Sequence, residues 1–219
     1  MLPENPWYYS VEHAAFRPPC RPLRARSALR CGPDSGYFGC LLQPRMVMQH
    51  DPDSLLDLLV RHRIASQTFD HPPLHTVAES KALRGVLPGA QTKNLFLRDG
   101  KKSYFLVSVA EDAPVNLKAL RDPLGARGSL SFASAEALYE MLGVLPGSVS
   151  LLALANDTAQ LVNVAIDRTL MRADAIGCHP LTNTRTTVLA PEALKAFLKL
   201  TGHRMQEIDL PAPRADGQA

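Results

Sequence analysis

The sequence predicts a mixed α/β fold, in which a mixed β-sheet is flanked by helices. Helical and strand-like patterns are interspersed along its 219 residues, without the strict alternation of a βαβ protein. Two strand patterns, at 92–98 and 103–109, are joined by Asp99-Gly100, a pair typical of hairpin turns. Because the second strand is almost entirely apolar, we expect it in the centre of the sheet with both faces covered.

Helices are predicted where capping residues precede apolar residues spaced three or four apart. The first begins at 51–53 and carries Leu55, Leu56, Leu59 and Val60 on one face. The other helices are predicted from a capping box of Thr76 and Glu79 toward Leu83, from Ser134 to Gly143, and from Pro191 to Gly202. Further strand patterns cover 149–155, 161–166 and 184–189.

Residues 1–45 differ in composition from the rest of the chain. They contain seven of the 18 prolines, and six arginines against three acidic residues, with no helical or strand periodicity. We expect a flexible leader, either a mobile tail or the product of an over-extended start site. A functional arm or an organelle transit peptide is the alternative. The predicted organisation is therefore this leader, one domain at 46–212, and a disordered tail at 213–219.

Composition and charge exclude several classes of protein. No run reaches the roughly 18 apolar residues that a membrane-spanning helix needs, and we expect no secretory signal, because no basic segment is followed by an apolar one near residue 1. Residues 46–219 carry 18 basic and 18 acidic residues, so we expect only local contacts with nucleic acid. The four cysteines match no CxxC pattern, which favours a reduced, cytoplasmic protein.

Common catalytic motifs are not evident in the sequence. His71 and His75 have an H-x-x-x-H spacing, but the prolines at 72–73 prevent the helix that would present both imidazoles to zinc. We therefore expect a turn there and no metal site. Cys178 and His179 are neighbours on an extended segment and point to opposite faces. The sequence does not exclude a catalytic Ser-His-Asp or Cys-His arrangement, because its members need not be close along the chain.

Lys93 is the most informative polar residue of the first hairpin strand. It shares a face with Leu95 and Leu97, while Asn94 and Phe96 lie on the other. A lysine at the mouth of an apolar face can bind a phosphate or a carbonyl oxygen as a compact cation. The alternative is a lysine that extends from the strand into water.

Two further segments have both a functional and a structural interpretation. The turn at 143–148 has successive backbone N–H groups that can form a cradle for an anion or an oxyanion. Its alternative is a plain connection between a helix and a strand. Likewise His179, which precedes Pro180, is either a site histidine or a residue at the end of a strand.

A set of motifs gives these residues a common context. In chain order they are HPPLHTVAES (71–80), TKNLFLRD (92–99), NLKAL (116–120), GSLSF (128–132), LGVLPGSV (142–149), AND (155–157) and HPLTNTRTT (179–187). Their order and spacing over about 52–210 resemble the YbaK/ProX family, relatives of the editing domain inserted in bacterial prolyl-tRNA synthetases. The TKNLFL form resembles the branch that removes alanine, not cysteine, from proline tRNA.

The resemblance implies a curved mixed β-sheet or partial barrel flanked by helices, and it implies specific site residues. Lys93 would fix the terminal adenosine or the ester, and His179 would line the aminoacyl pocket. The carbonyl oxygen would be held by the loop residues Gly143, Pro146 and Gly147. Asn94 and Ser148 are expected as further substrate-binding residues. Two pairs depart from the family pattern, Leu151-Leu152 after the loop and Gly177-Cys178 before the histidine, so the preferred amino acid is less certain than the reaction.

The implied function is an aminoacyl-tRNA deacylase that hydrolyses mischarged proline tRNA, in particular alanyl-tRNA, in trans and in the cytoplasm. The expected partners are the acceptor end of the tRNA and prolyl-tRNA synthetase, with no cofactor, metal or membrane. The alternatives are a deacylase for cysteinyl- or seryl-tRNA, and a non-catalytic module that binds nucleic acid or a synthetase. An aminoacyl ester is already activated, so the reaction needs positioning and oxyanion stabilisation more than a strong nucleophile.

Overall fold

The computed structural model describes residues 49–73 and 87–210, which belong to one compact unit, 48–219. The predicted helix at 76–83, the leader at 1–45 and the tail at 213–219 lie outside the described residues. The described helices are α1 (Pro52–Arg61), α2 (Leu117–Leu120), α3 (Ala135–Leu142) and α4 (Pro191–Leu200), with short 3₁₀ helices at Leu151–Ala155 and Leu170–Arg172. The described strands are β1 (Gln67–Asp70), β2 (Ala90–Arg98), β3 (Tyr104–Ala110), β4 (Ser131–Phe132), β5 (Val162–Asp167), β6 (Ile176–Cys178), β7 (Arg185–Leu189) and β8 (Met205–Ile208).

The described strands form one open mixed sheet, in the order β1-β7-β6-β2-β3-β5-β8. β2 and β3 are antiparallel, whereas β6 runs parallel to β2 and β5 runs parallel to β3. On the edge of β2 that faces away from β3, β6 pairs with 90–91 and β4 pairs with 97–98. Between these two ladders, at 92–95, none of the described strands pairs with this edge.

Side chains on the two faces of the sheet pack into separate cores. Phe96 and Leu106 belong to the larger core, which includes residues of α1, α3 and α4 and the 3₁₀ helix at Leu151–Ala155. Leu95 and Val107 belong to the smaller core, which includes residues from α2. Since these residues alternate along β2 and β3, the two faces follow directly from the period of two in the sequence.

Most predicted elements are confirmed. The hairpin joins β2 to β3, and β3 is central, with its five inner residues buried. Ser134 accepts the N–H of Ala137 at the start of α3, and Gly143 ends that helix with a φ of +66°. α4 begins at Pro191, as expected. The mixed sheet with flanking helices therefore confirms the predicted fold class.

Two predictions about apolar segments were wrong. Residues 149–155 form no strand, because Ser150 accepts the N–H of Leu152 and opens the 3₁₀ helix Leu151–Ala155, whose residues are all buried. A short, continuous apolar run does not distinguish a buried strand from a buried helical turn. Val60 is 75% exposed, because the core covers the side of α1 that carries Leu55 and Leu59.

A buried polar contact joins the end of α4 to the turn before β5. Asp157 is 4% exposed and accepts the backbone N–H groups of Leu161 and Val162 together with Nε2 of His203, at 3.1 Å. Burial raises the pKa of Asp157, but the hydrogen bonds together lower it by more than burial raises it. Its pKa therefore lies below the ordinary 3.8. The carboxylate therefore stabilises the fold in its charged form.

Replacing Asp157 by Asn should destabilise the protein by about 2–3 kcal/mol at pH 7, because an amide offers one acceptor oxygen in place of two and leaves a buried donor unpaired. Urea unfolding measures this free energy of unfolding. The stability that Asp157 provides is present above its ordinary pKa and is lost as the pH falls through its lowered pKa. The difference between the two proteins should therefore shrink in acid.

The matched control is Asp122→Asn, since Asp122 forms an exposed ion pair with Arg121. Its effect on the free energy of unfolding should stay within about 0.5 kcal/mol. Equal effects of the two substitutions at pH 7 would contradict the structural role of Asp157.

Candidate functional site

Polar residues form a row across one face of the sheet. In the parallel ladder Gln91 lies beside Gly177, so the next residues on that face are Lys93 and His179. On the other side of β2, Lys93 lies opposite Val109, so Glu111, two residues beyond Val109, follows on the same face. The smaller core covers this face from Leu95 onward, and the polar row begins where that cover ends.

The Lys93 side chain is half-buried and fixed by one hydrogen bond. Its Nζ donates to the carbonyl oxygen of Ala113 at 2.7 Å, in the segment that follows β3. Burial lowers the pKa of Lys93, while the carboxylates of Asp112 and Glu111 oppose that shift. An ammonium group carries three donors, so within 49–73 and 87–210 the Ala113 carbonyl leaves two of the Lys93 N–H groups without a partner.

His179 is a neutral hydrogen-bond acceptor on the same face. Its Nδ1 lies 3.0 Å from the carbonyl oxygen of Arg185, and a carbonyl accepts only, so Nδ1 carries the proton and Nε2 a lone pair. Burial lowers the pKa of His179, and the neighbouring His71 lowers it further. The Arg185 carbonyl and Glu111 act in the opposite direction.

His71 extends the row on β1 and β7. Its ring centroid lies 6.3 Å from that of His179, and its Nε2 lies 2.9 Å from the hydroxyl of the buried Thr186. The Nδ1 of His71 lies 2.9 Å from the carbonyl oxygen of Pro72, which orients the ring. The sequence predicted only a turn here, and the structure adds an imidazole that contacts the same row of residues.

Asn94 lies on the opposite face of β2 from Lys93. Its amide contacts the Ser108 hydroxyl and the Thr92 hydroxyl, and Thr92 in turn donates to the carbonyl of Gly177 at 2.8 Å. These bonds join β2, β3 and β6 at the point where the edge of β2 opens. The Asn94 side chain therefore positions the strand that carries Lys93.

Two backbone hydrogen bonds hold the loop at 143–148. Gly143 N–H donates to the Tyr139 carbonyl, and Ser148 N–H donates to the Leu145 carbonyl at 3.0 Å. Val144 packs into the larger core, on the side of the sheet that carries Asn94. Gly147 has a φ of +93° and open space around its Cα. The N–H groups of Gly143 and Ser148 are used in these two bonds, and Pro146 has no N–H group. Of the four predicted loop residues, Gly147 is therefore the one whose N–H is available.

Two kinds of chemistry find no support in the described residues. Cys178 is buried, and burial raises the pKa of its thiol to about 12, so it is a poor nucleophile. Across 49–73 and 87–210, no group of three or more His, Cys, Asp or Glu residues is arranged to hold a metal ion. The same ranges contain no helix with the length and hydropathy that crossing a bilayer requires.

The sequence analysis did not predict four members of the row as site residues, namely Gln91, Glu111, His71 and Thr186, although His71 and Thr186 lie within the quoted motifs. They come from four strands or strand ends that are distant along the chain, and no single motif unites them. The register of the sheet brings them beside Lys93 and His179. This face offers an ammonium donor, a neutral imidazole acceptor and a carboxylate within one row, which suits a ligand with both a carbonyl oxygen and an amine.

Comparisons with known proteins relate the chain to a family and to individual relatives. Residues 71–197 match the family model of the aminoacyl-tRNA editing domain. The chain is 40% identical over 151 residues to the prolyl-tRNA synthetase associated domain-containing protein 1 of Danio rerio, covering 68% of this chain and 82% of that protein. It is 34% identical over 143 residues to the prolyl-tRNA editing protein ProX of Acetoanaerobium sticklandii, covering 65% of this chain and 87% of the relative.

The fold also resembles solved structures. A crystal structure described as a candidate trans-editing enzyme for prolyl-tRNA synthetase matches with a TM-score of 0.56 and 18% identity. The match covers 73% of this chain and 97% of that chain. At this identity the likeness concerns the fold alone.

The tautomer and pKa of His179 are testable by nitrogen-15 NMR. We expect the Nδ1-protonated neutral form at pH 7, and a titration midpoint below the ordinary value of 6.5, because burial and His71 disfavour the imidazolium. Since the unfolded chain takes up this proton more readily, the His179 contribution to stability should be complete above pH 6.5 and decline as the pH falls through the lowered pKa. The His179→Asn variant assigns the signal. An Nε2-protonated ring, or a midpoint above 6.5, would contradict this assignment.

Proposed function

We propose, for a chain that belongs to the aminoacyl-tRNA editing domain family, that the row around Lys93 and His179 hydrolyses mischarged proline tRNA in trans. In this proposal the enzyme is an aminoacyl-tRNA deacylase and alanine is the amino acid removed. The observation that carries the proposal is the pairing of a fixed ammonium donor with a neutral imidazole acceptor on one sheet face. An aminoacyl ester needs both, because it has a carbonyl oxygen and an amine.

The proposed reaction is attack of water on the ester carbonyl carbon. The tetrahedral oxyanion collapses and the bond from carbon to the ribose oxygen breaks. The ribose oxygen takes the proton that the attacking water gives up, and the free amino acid and the free tRNA are released. The neighbouring ribose hydroxyl orients the water, so the protein need not supply a strong nucleophile. The raised pKa of Cys178 supports this route over one through a thiolate.

Each site residue then has one role. Lys93 holds the terminal adenosine or the ester through the two N–H groups that Ala113 leaves available. The Nε2 lone pair of His179 accepts a hydrogen bond from the α-amino group of the bound amino acid. For the loop at 143–148 we keep the role of holding the carbonyl oxygen as a prediction. Its available donor is the Gly147 N–H, with Gly143, Pro146 and Ser148 shaping the turn, and Val144 anchors the loop in the core on the other side of the sheet from Lys93. Asn94 acts through the strand that carries Lys93.

A basic turn at the other end of β2 supports binding of the tRNA. Four basic residues are exposed there, namely Arg98, Lys101, Lys102 and Arg127. Gly100 N–H donates to the Arg127 carbonyl oxygen at 3.0 Å, which holds Arg127 at the turn. The one acidic residue within the turn, Asp99, accepts three backbone N–H groups in the interior. Four cations therefore cluster at one place on the surface of a domain with equal numbers of basic and acidic residues, which gives RNA phosphates a local contact.

The preference for alanine rests on size. A synthetase that binds proline cannot strongly reject a smaller amino acid, because one methylene group is worth only about 1–3 kcal/mol. A second, smaller pocket admits alanine and excludes proline. Cysteine and serine are close to alanine in size, so a deacylase for either of those esters is the second candidate. We propose prolyl-tRNA synthetase as a further partner, as in the name of the Danio rerio relative, and the cytoplasm as the location.

The deciding experiment compares hydrolysis of alanyl, cysteinyl, seryl and prolyl esters on the same proline tRNA. We expect alanine to be released fastest and proline to be retained, and Lys93→Ala should lower kcat for the alanyl ester by about 100-fold or more, because a charged donor at the reacting group is removed. Lys118→Ala, at an exposed position on α2, is the matched control and should be fully active.

Equal rates for the small amino acids would refute the preference for alanine. Intact esters at high enzyme concentration would instead identify a non-catalytic module that binds tRNA. Full activity of Lys93→Ala would remove Lys93 from the site.

The role of the basic turn is tested by its dependence on salt. Replacing Lys101 and Lys102 together by Gln should weaken tRNA binding and reduce the slope of log Kd against log salt by about 0.7–1 for each phosphate that is no longer neutralised. Hydrolysis of a short aminoacyl-adenosine should not change, because that substrate does not reach the turn. The control replaces Lys195 and Lys199 of α4 by Gln. An unchanged salt slope in the turn variant would contradict the assignment.

A further inference from the structure

One buried donor in the polar row lacks a partner. Among the residues that the structure describes, the side-chain Nε2 of Gln91 is buried and makes no hydrogen bond. Unpaired buried donors are rare in native proteins, since each one gives up its hydrogen bonds to water without replacement. Gln91 therefore needs an explanation beyond packing.

The position of Gln91 relates it to the site. It precedes Lys93 by two residues on β2, so both side chains extend from the same face. Its neighbour across the parallel ladder is Gly177, two residues before His179. Gln91 is thus next to Lys93 on its own strand and diagonally across the ladder from His179.

Gly177 leaves space that the Gln91 amide fills. A side chain at Gly177 would place its Cβ 2.8 Å from Oε1 and 3.0 Å from Nε2 of Gln91, closer than atoms can pack. The glycine has an ordinary backbone conformation, so its value at this position is its lack of a side chain. The pair Gln91 and Gly177 therefore keeps an amide beside Lys93.

The amide can turn toward a ligand without moving the strand. The terminal torsion of glutamine is broad and roughly two-fold, so a rotation exchanges Nε2 with Oε1. Gln91 is half-buried as a residue, which means that part of it already contacts solvent. A ligand oxygen on the Lys93 face would satisfy the donor that is unpaired in the free protein.

We propose that Gln91 is a substrate-binding residue whose side-chain N–H donates to the carbonyl oxygen of the bound aminoacyl ester. The inference rests on the proposed function, because that function supplies a ligand with an acceptor oxygen between Lys93 and His179. Lys93 and Gln91 then bind from one strand face, and the oxygen gains negative charge as water attacks. A donor fixed at that oxygen binds the transition state more tightly than the ground state.

Gln91→Leu tests this role, because it removes the amide and keeps a side chain of similar size. For the alanyl ester we expect kcat to fall by about 100-fold with KM little changed, as for the removal of one oxyanion donor. The melting temperature should stay equal or rise, since an unpaired buried donor is replaced by an apolar group. Gln206→Leu is the matched control, with its amide on the Pro123 carbonyl at β8, and should keep full kcat.

Gly177→Ala provides a second test, because its methyl group must displace the Gln91 amide. It should lower kcat in the wild-type background and have little further effect in Gln91→Leu, since both changes remove the same interaction. Additive effects on kcat would overturn the proposal.

The remaining outcomes separate this inference from the proposed function. Full kcat in Gln91→Leu, a raised KM with unchanged kcat, or a fall in melting temperature that accounts for the reduced activity would each overturn the inference alone. A wild-type protein that leaves all four esters intact would overturn the proposed function and, with it, this inference.

Discussion

The divided edge of β2 is the constraint on which the site depends. One end of this edge pairs with β6 and the other with β4, while the opposite edge is paired with β3. The strand is therefore fixed at both ends, and its middle residues face no described strand on that side. A backbone held in this way can present Lys93 at a fixed position. Its single bond to Ala113 completes the orientation.

The register of β6 against β2 determines which side chains lie on each face of the sheet. A shift of β6 by one residue would place Cys178 beside Lys93 and turn His179 into the larger core. In the observed register the thiol is buried, with its pKa raised to about 12, and the imidazole remains neutral on the polar face. The same period of two separates Asn94 from Lys93. In the proposed function, these adjacent residues of one motif have different tasks: Asn94 positions the strand and Lys93 faces the ligand.

The electrostatics of the row suit a ligand of mixed polarity. Burial lowers the pKa of both Lys93 and His179, while Glu111 raises both, so each group is balanced between desolvation and a nearby carboxylate. A site built only of cations would bind any phosphate, whereas this row combines donors with an acceptor. The cations at the turn after β2 are separated from it by about 17 Å, the length of five strand residues. In the proposed function, that separation keeps phosphate binding distinct from recognition of the aminoacyl group.

The sequence by itself determined the fold class, the hairpin, the central apolar strand and the helices at 135–142 and 191–200, because each rests on local capping or on a short-range apolar period. It also predicted Lys93 and His179 as site residues, through motifs in a recognisable order. It predicted a strand at 149–155, where burial on all sides selected a 3₁₀ helix. Only the tertiary structure placed Gln91 and Glu111 beside Lys93 and His71 beside His179, because pairing between strands far apart in the chain leaves no periodic signal in any one of them.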